Sequence, residues 1–353
     1  MVWTGLVYWA ALMVAGAFFM GGLLRLGWRV AGIWRIHRAG PRRLRSTRHR
    51  IWRDPSHEGR FDLRYGPGGP DGAPVPPFTF MKEHLTGSQP CVSARDGRGR
   101  LWRIKWGHEA RPESFAMRFA WACGYFAEVT HFVAEGIIEG ASGLTRARDC
   151  IDEDCRFRDA RFKLEDPEVR MLFDEHSWSW DDNPFVGSPE LTGLKLVVML
   201  LSNWDAKDRR DVARGSNTAI FEQRVSRRRR EARYLISDWG AAMGKWGTNV
   251  VSRSRWDPDG FESQTAQFVT GVDGGLVSFG YQGQRTPDMV NDVPLDHVRW
   301  FCEYAGRFTE TQLREGLRAS GATEDEAARF ARALLDRLAQ LAQARGEESN
   351  VVH

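Results

Sequence analysis

Apolar positions change their spacing several times along this chain, and each change marks a boundary. Residues 2–24 form one uncharged, mostly apolar stretch, interrupted only by Thr4 and small residues. As a helix rising ~1.5 Å per residue it is long enough to cross a hydrocarbon core about 30 Å thick. Over 29–77 the pattern is lost to Arg and then to Gly and Pro, as in Gly66-Pro67-Gly68-Gly69-Pro70, a composition that predicts an extended tether. Short runs at 78–81, 91–95 and 101–106 follow, separated by Thr86-Gly87-Ser88 and Asp96-Gly97-Arg98-Gly99. They read as strands joined by turns. A helix opens around Pro112-Glu113, where proline suits the first turn and the helix dipole favours a carboxylate. It carries Phe115, Phe119, Ala122 and Phe126 on one stripe.

The second half reads differently. Residues 189–204 are apolar enough for a buried helix, and 217–221 and 234–237 read as two pairing strands with the arginines of 227–230 at a solvated tip. Trp178, Trp180, Asn183-Pro184-Phe185 and Trp204 are expected in the core of this half and between the halves. Residues 323–344 predict an amphipathic helix opened by Thr323 and Glu326 at capping-box spacing, with Ala327, Phe330, Leu334, Leu338 and Leu341 along one side. That helix either closes the larger half or meets a partner.

At 353 residues, 42% hydrophobic and 27% charged, the chain is large enough for a two-lobed domain with a proper core. Its net charge of +4 is uneven, with arginines crowded just after the apolar stretch and at 227–230. No nucleic-acid-reading motif accompanies them, which argues against a nucleic-acid binder. No Lys or Arg precedes residues 2–24, whereas Arg25, Arg29, Arg35, Arg38, Arg42 and Arg43 follow, and Trp3, Trp9 and Trp28 stand where interfacial rings belong. That asymmetry predicts a single-pass anchor with its C-terminal side cytoplasmic, and not a cleaved signal peptide. The Arg-rich tether then faces an anionic membrane surface, each Arg contributing roughly 1 kcal/mol, or serves only as a topology signal. Five scattered cysteines do not form a disulfide framework. Cys150 and Cys155 alone are close enough in sequence to clip a loop or help hold a metal.

The chemistry is concentrated in a few places. The apolar helix runs into Asn203-Trp204-Asp205-Ala206-Lys207-Asp208, and the later strand delivers Asp238-Trp239-Gly240. A carboxylate at Asp205 suits accepting or orienting the proton of an attacking hydroxyl, and Lys207 suits meeting a transferring phosphate. Asn217 and Asp238 flank paired strands and offer oxygen ligands for Mg²⁺, with Gly240 permitting a sharp turn. Upstream, Lys105 ends a strand and Glu113 opens a helix. Together they suit neutralising nucleotide phosphates and fixing the lysine by an ion pair. Gly87 and Ser88 make a sparse phosphate loop or a plain hairpin turn. Singly, each residue has an ordinary explanation: a solvated strand-end lysine, a first-turn glutamate, turn-forming aspartates. Their order favours phosphoryl transfer.

The stretch Glu113 to Gly124, with Met117 and Ala120 between, resembles the regulatory-helix motif of HipA-like kinases. Ser202-Asn203-Trp204-Asp205 resembles the catalytic loop of HipA-like and phosphatidylinositol-kinase-like enzymes, and Asp238-Trp239-Gly240 resembles the metal-binding motif of protein kinases. The resemblance implies an α+β, bilobal protein-kinase-like fold using ATP and Mg²⁺ to phosphorylate a protein or small-molecule hydroxyl. It implies Lys105 on phosphates with Glu113 as its partner, Asp205 as catalytic acid/base, and Asn217 and Asp238 on the metal. The expected layout is an anchor at 1–28, a tether at 29–77, a small lobe and hinge at 78–187, and a large lobe at 188–353. One departure matters: five residues after Asp205, where the family has its metal-binding Asn, stands Arg210, whose guanidinium has no acceptor atom. Asn217 takes the role only if 209–216 is an insertion. The alternatives are therefore a membrane-anchored kinase, a pseudokinase that scaffolds or binds nucleotide, and a membrane-surface adaptor acting through its basic stem.

Overall fold

The structure, a computed structural model, describes residues 48–58, 62–87, 89–167, 169–171, 177–226, 229–247 and 252–347. All belong to one compact unit, Ser46–His353. The expected membrane span at 2–24 and most of the basic stem lie outside the described residues. Among those described, no helix is long and apolar enough to cross a membrane.

The first strand, β1 (Arg48–Arg50), already departs from the expected tether. It runs parallel to a later strand, with Arg48 opposite Glu231 and Arg50 opposite Arg233. Ile51 and Leu63 are buried beyond it, and Trp52 packs edge-on against Trp300 and Tyr304. The Gly/Pro segment folds into short 3-10 turns around Gly66–Gly68 and Pro70–Gly72. Arg100 holds it by donating to the carbonyls of Asp71, Gly72 and Ala73. A few large apolar side chains and two arginines, Arg100 and Arg98 with its own bond to the Asp71 carbonyl, thus pin a segment whose composition reads as spacer.

The small lobe is a closed barrel in the order β2-β3-β4-β6-β5, from β2 (Phe78–His84), β3 (Cys91–Arg95), β4 (Leu101–Lys105), β5 (Thr130–Glu139) and β6 (Arg156–Leu164). Its interior is Phe78, Val92, Trp102, Ile104, Phe157 and Phe162. Strand alternation turns Trp102 and Ile104 inward and leaves Arg103 and Lys105 on the outer face. Helix α1 (Ala110–Ala122) starts slightly earlier than Pro112 suggests and is buried along most of its length. Phe126 lies past its end, because Gly124 takes a left-handed φ of +92° and packs where a side chain would strike Trp52 and the Arg53 carbonyl. By packing, α1 belongs to the larger core, where Phe115, Met117 and Phe119 join Leu313 and Leu317.

Below the barrel lies a second sheet, β1-β9-β8-β7, formed with β7 (Val169–Met171), β8 (Thr218–Arg224) and β9 (Arg230–Ile236). Strands β8 and β9 pair antiparallel, Thr218 opposite Ile236 and Arg224 opposite Arg230. Both outrun the sequence reading, because Arg230 pairs with Glu222 at 3.0 Å and joins the ladder. The larger core is helical. It contains α2 (Pro189–Leu200), α3 (Pro258–Ser263), a hairpin of β10 (Val269–Asp273) and β11 (Leu276–Phe279), then α4 (Thr286–Val290), α5 (Leu295–Ala305), α6 (Glu310–Arg318) and α7 (Glu324–Glu347). Helix α7 has the expected capping box, Thr323 N donating to Glu326 and Glu326 N to Thr323. Its stripe from Ala327 to Leu341 is buried against this core.

Candidate functional site

The outer face of the β4–β6 ladder carries a block of cations. Arg103 stands opposite Lys163 and Lys105 opposite Arg161, so four positive side chains share one face. Each meets a carboxylate: Arg103 with Glu165 at 3.0 Å, Lys163 with Glu128 at 2.9 Å, Lys105 with Glu109 at 2.6 Å, and Arg161 with Glu113. The pairing expected between Lys105 and Glu113 is therefore replaced. With two cations side by side on neighbouring strands, the first-turn glutamate of α1 goes to Arg161, and the residue just before the helix takes the lysine. Glu113 still acts on Lys105 through space. Burial alone would lower the lysine's pKa, but the charges of Glu113, Asp238 and Glu109 outweigh it and hold it above the usual value.

The catalytic-loop candidates lie below this ceiling. Helix α2 ends at Leu200, short of the expected 204, because Arg337 of α7 takes the carbonyls of Met199 and Leu200 and the hydroxyl of Ser202. The chain then turns through Ser202 at φ +45° to present Asp205. One Asp205 oxygen meets Lys207 Nζ at 3.1 Å, and the other accepts from Gln284 Nε2 at 2.7 Å. Burial raises the Asp205 carboxyl above the usual range, and the negative charge of Asp238 adds to that, against the opposing pull of Lys207 and Asn217.

Residues 209–214 form a 3-10 helix capped by Asp208, and Asp211 completes the capping box. Arg210 is bound to three carboxylates, Asp208, Asp181 and Asp288, while Asp211 is held by Arg214 and Arg285. The segment is a short turn whose charges are met partly from outside it, by Asp181, Asp288 and Arg285. Beyond it Asn217 reaches back so that its amide nitrogen donates to the Asp205 carbonyl, and its main chain bridges Lys207 and Ser237. Among the described residues nothing is seen to donate to the Asn217 side-chain oxygen. Asp238, two positions past Ile236 in the paired strand, accepts from the Gly240 amide at 2.9 Å. Burial pushes the Asp238 carboxyl up, but Lys105, the Gly240 amide, Arg161 and Lys163 together hold it below the usual range.

Lys105, Glu113, Asp205, Lys207, Asn217 and Asp238 thus share one inter-lobe region. Gly87 sits in the β2–β3 hairpin, which leaves the sheet at the same end as Lys105, since His84 pairs with Cys91 and Cys91 with Lys105. Its φ of +109° suits a tight turn, and its carbonyl accepts from Arg146 at 2.9 Å. Ser88 lies outside the described residues. A cavity of about 690 Å³ opens between the lobes beside Arg103 and Lys163, walled by 164–167 and floored by Phe221 and Leu235. A larger one of about 1220 Å³ lies on the far side of α1, around His108, Arg111, Cys150 and Trp256. Neither is lined by Asp205 or Asp238. All five cysteines are free, and no group of three or more His, Cys, Asp or Glu side chains among the described residues is arranged to hold a metal.

No family model matches this chain, and no curated protein matches it. Among solved structures, the crystal structure of the Golgi casein kinase with Mn/ADP bound is similar at a TM-score of 0.35 and 12% sequence identity, over 79% of this chain and 75% of that chain. A likeness so shallow decides nothing about the site.

Several site residues escape sequence reasoning. Glu109 sits four residues after Lys105, a spacing that announces little between strand and helix. Arg161 and Lys163 become visible only when β6 is known to pair with β4. Gln284 arrives from nearly eighty positions away, on a segment stitched to the loop by Tyr281 Oη donating to Asn203 O and Gln284 N donating to Trp204 O. Trp180 supports the same loop, its indole donating to the Ala206 carbonyl at 3.1 Å.

Proposed function

We propose that this protein is a membrane-anchored, ATP-dependent kinase of the protein-kinase-like superfamily, transferring a γ-phosphate to a protein or small-molecule hydroxyl. The observation that carries this reading is the reach of Asn217 across the inserted 3-10 helix to the Asp205 carbonyl, beside Asp238 and under Lys105. The donor set suits a hard cation: one amide oxygen and one carboxylate, completed by phosphate oxygens and water from the substrate side, would be Mg²⁺ chemistry. Bound there, Mg²⁺ would neutralise charge on the transferring phosphate. Asp205, with its pKa raised by burial, would take the hydroxyl proton. Lys207 would steady the phosphate, and Lys105 would hold the nucleotide's other phosphates with Gly87 nearby.

A pseudokinase is the second reading, favoured by one feature: both oxygens of Asp205 are already engaged, by Lys207 and by Gln284. Thermal unfolding of the full chain with ATP, with and without Mg²⁺, followed by a γ-phosphate transfer assay, separates the two. Mg-ATP stabilisation with transfer supports the kinase, and stabilisation without transfer supports the pseudokinase. No response to nucleotide at all refutes the kinase and leaves only a pseudokinase that scaffolds without nucleotide. The anchor, a cytoplasmic catalytic domain and contact of the Arg-rich stem with anionic lipid belong to the same proposal.

A further inference from the structure

Glu109 is the hub of a clasp between the two lobes. One carboxylate oxygen meets Lys105 Nζ at 2.6 Å, and the other meets Arg255 Nη1 at 2.9 Å. The side chain lies across the Asp238-Trp239-Gly240 turn, close enough that a Cβ on Gly240 would sit 2.9 Å from Glu109 Cγ. Glycine at 240 is what permits that approach. Arg255 is itself fixed to the catalytic loop. Its guanidinium lies 5.3 Å from the Trp204 ring centre, and the Trp204 indole donates to the Ser254 carbonyl at 2.8 Å. Main-chain bonds from Ser254 to Lys245 and from Asp257 to Met243 dock this segment on the turn that follows Gly240.

We propose that Glu109, acting with Arg255, is the positioning residue for Lys105, so that docking of the 252–257 segment and seating of the phosphate-binding lysine are one event. This rests on reading Lys105 as a phosphate ligand. Glu113 is not suited to the task, because it and Arg161 are both about 3% exposed and locked together. The clasp lies nearer solvent, with Lys105 at 16%, Glu109 at 12% and Arg255 at 22% side-chain exposure, so a polyphosphate can reach it. A shared carboxylate also makes the exchange easy. When Lys105 turns to a phosphate, Glu109 keeps Arg255 and is not left as an uncompensated buried charge, which would be strongly unfavourable. If the 252–257 segment undocks, Glu109 loses its second cation and its grip on Lys105 slackens.

The test is Mg-ATP affinity, read from thermal stabilisation of the full chain, for wild type, Glu109→Gln, Arg255→Met, Arg255→Lys and the Glu109→Gln/Arg255→Met double variant. Each of Glu109→Gln and Arg255→Met should weaken Mg-ATP about tenfold, read as the shift from that variant's own ligand-free melting temperature. The double variant should be no weaker than the worse single, and Arg255→Lys should recover part of the loss. Wild-type affinity in Glu109→Gln, or single losses that multiply in the double variant, would overturn the clasp and leave the phosphate reading standing. A wild-type protein indifferent to Mg-ATP would overturn that reading and the clasp with it.

Discussion

Replacing Arg337 should unfasten the 201–208 loop, the candidate catalytic loop, from the helix beneath it. This guanidinium is buried and has no carboxylate partner among the described residues, and burial pushes its pKa down to about 9, so it remains charged at neutral pH. Its charge is met by dipoles instead. Nη1 donates to the carbonyls of Met199 and Leu200 and to Ser202 Oγ, Nη2 to the Phe261 carbonyl, and Nε to Thr265 Oγ1. The Phe261 ring stacks 3.8 Å away. Two of those carbonyls end α2, where the helix dipole favours a cation. Arg337→Met keeps the aliphatic stem but leaves these buried acceptors unpaired, at about 1–3 kcal/mol for each one that water does not reach. The expected loss is about 3–5 kcal/mol, as for removing one member of a buried charged network. For a folded unit of this size that would lower the melting temperature by about 1.5 °C per kcal/mol. Tryptophan fluorescence during thermal unfolding of the full chain measures it. Arg337→Lys, with a charge but no planar fork, should fall between. A loss in Arg337→Met smaller than about 1 kcal/mol would refute the reasoning, because it would mean the carbonyls are satisfied without the arginine.

Other outcomes follow from the site and its surroundings. Lys105→Ala should weaken Mg-ATP by about 1.5–3 kcal/mol, the worth of a charge-assisted hydrogen bond, and equal melting shifts for wild type and variant would contradict the assignment. Asn217→Ala should remove most of the Mg²⁺ dependence of ATP stabilisation while leaving binding of metal-free ATP nearly unchanged, as titrations of Mg²⁺ at fixed ATP would show. His131 is pushed down to about 3 by burial, with Arg118 and Arg100 adding to the effect. Since the unfolded side chain titrates near pH ~6.5, only the unfolded state gains this proton as pH falls below that value, and stability drops by up to about 1.4 kcal/mol per pH unit. His131→Phe should flatten that slope between pH 6.5 and 4 in a denaturation series. A fluorescent-protein fusion after His353 should be active in the cytoplasm, and a periplasmic phosphatase fused there should be silent; the reverse would overturn the proposed topology.

What the sequence discloses here follows the range of the forces involved. Strand alternation is local, so β3 and β4 were legible almost to the residue, and with them the outward face of Lys105. The capping box and apolar stripe of α7 are local too. Helix α2 was read too long because its stop is imposed by Arg337, more than a hundred positions away, and no local signal carries that. The segment from Arg48 to Pro77 reads as spacer because its composition is that of one. A handful of buried side chains, Ile51, Leu63 and Trp52 among them, outweigh the average. The same distinction runs through the site. Asp205, Asn217 and Asp238 stand at the ends of locally coded elements, and the structure brings them to one region. Their partners come from elsewhere: Gln284 on Asp205, Arg161 on Glu113, Arg255 on Glu109. The chain codes its candidate catalytic groups locally and their orientation by tertiary contact, so the groups are legible in sequence even where the partner of a single lysine is Glu109 and not the expected Glu113.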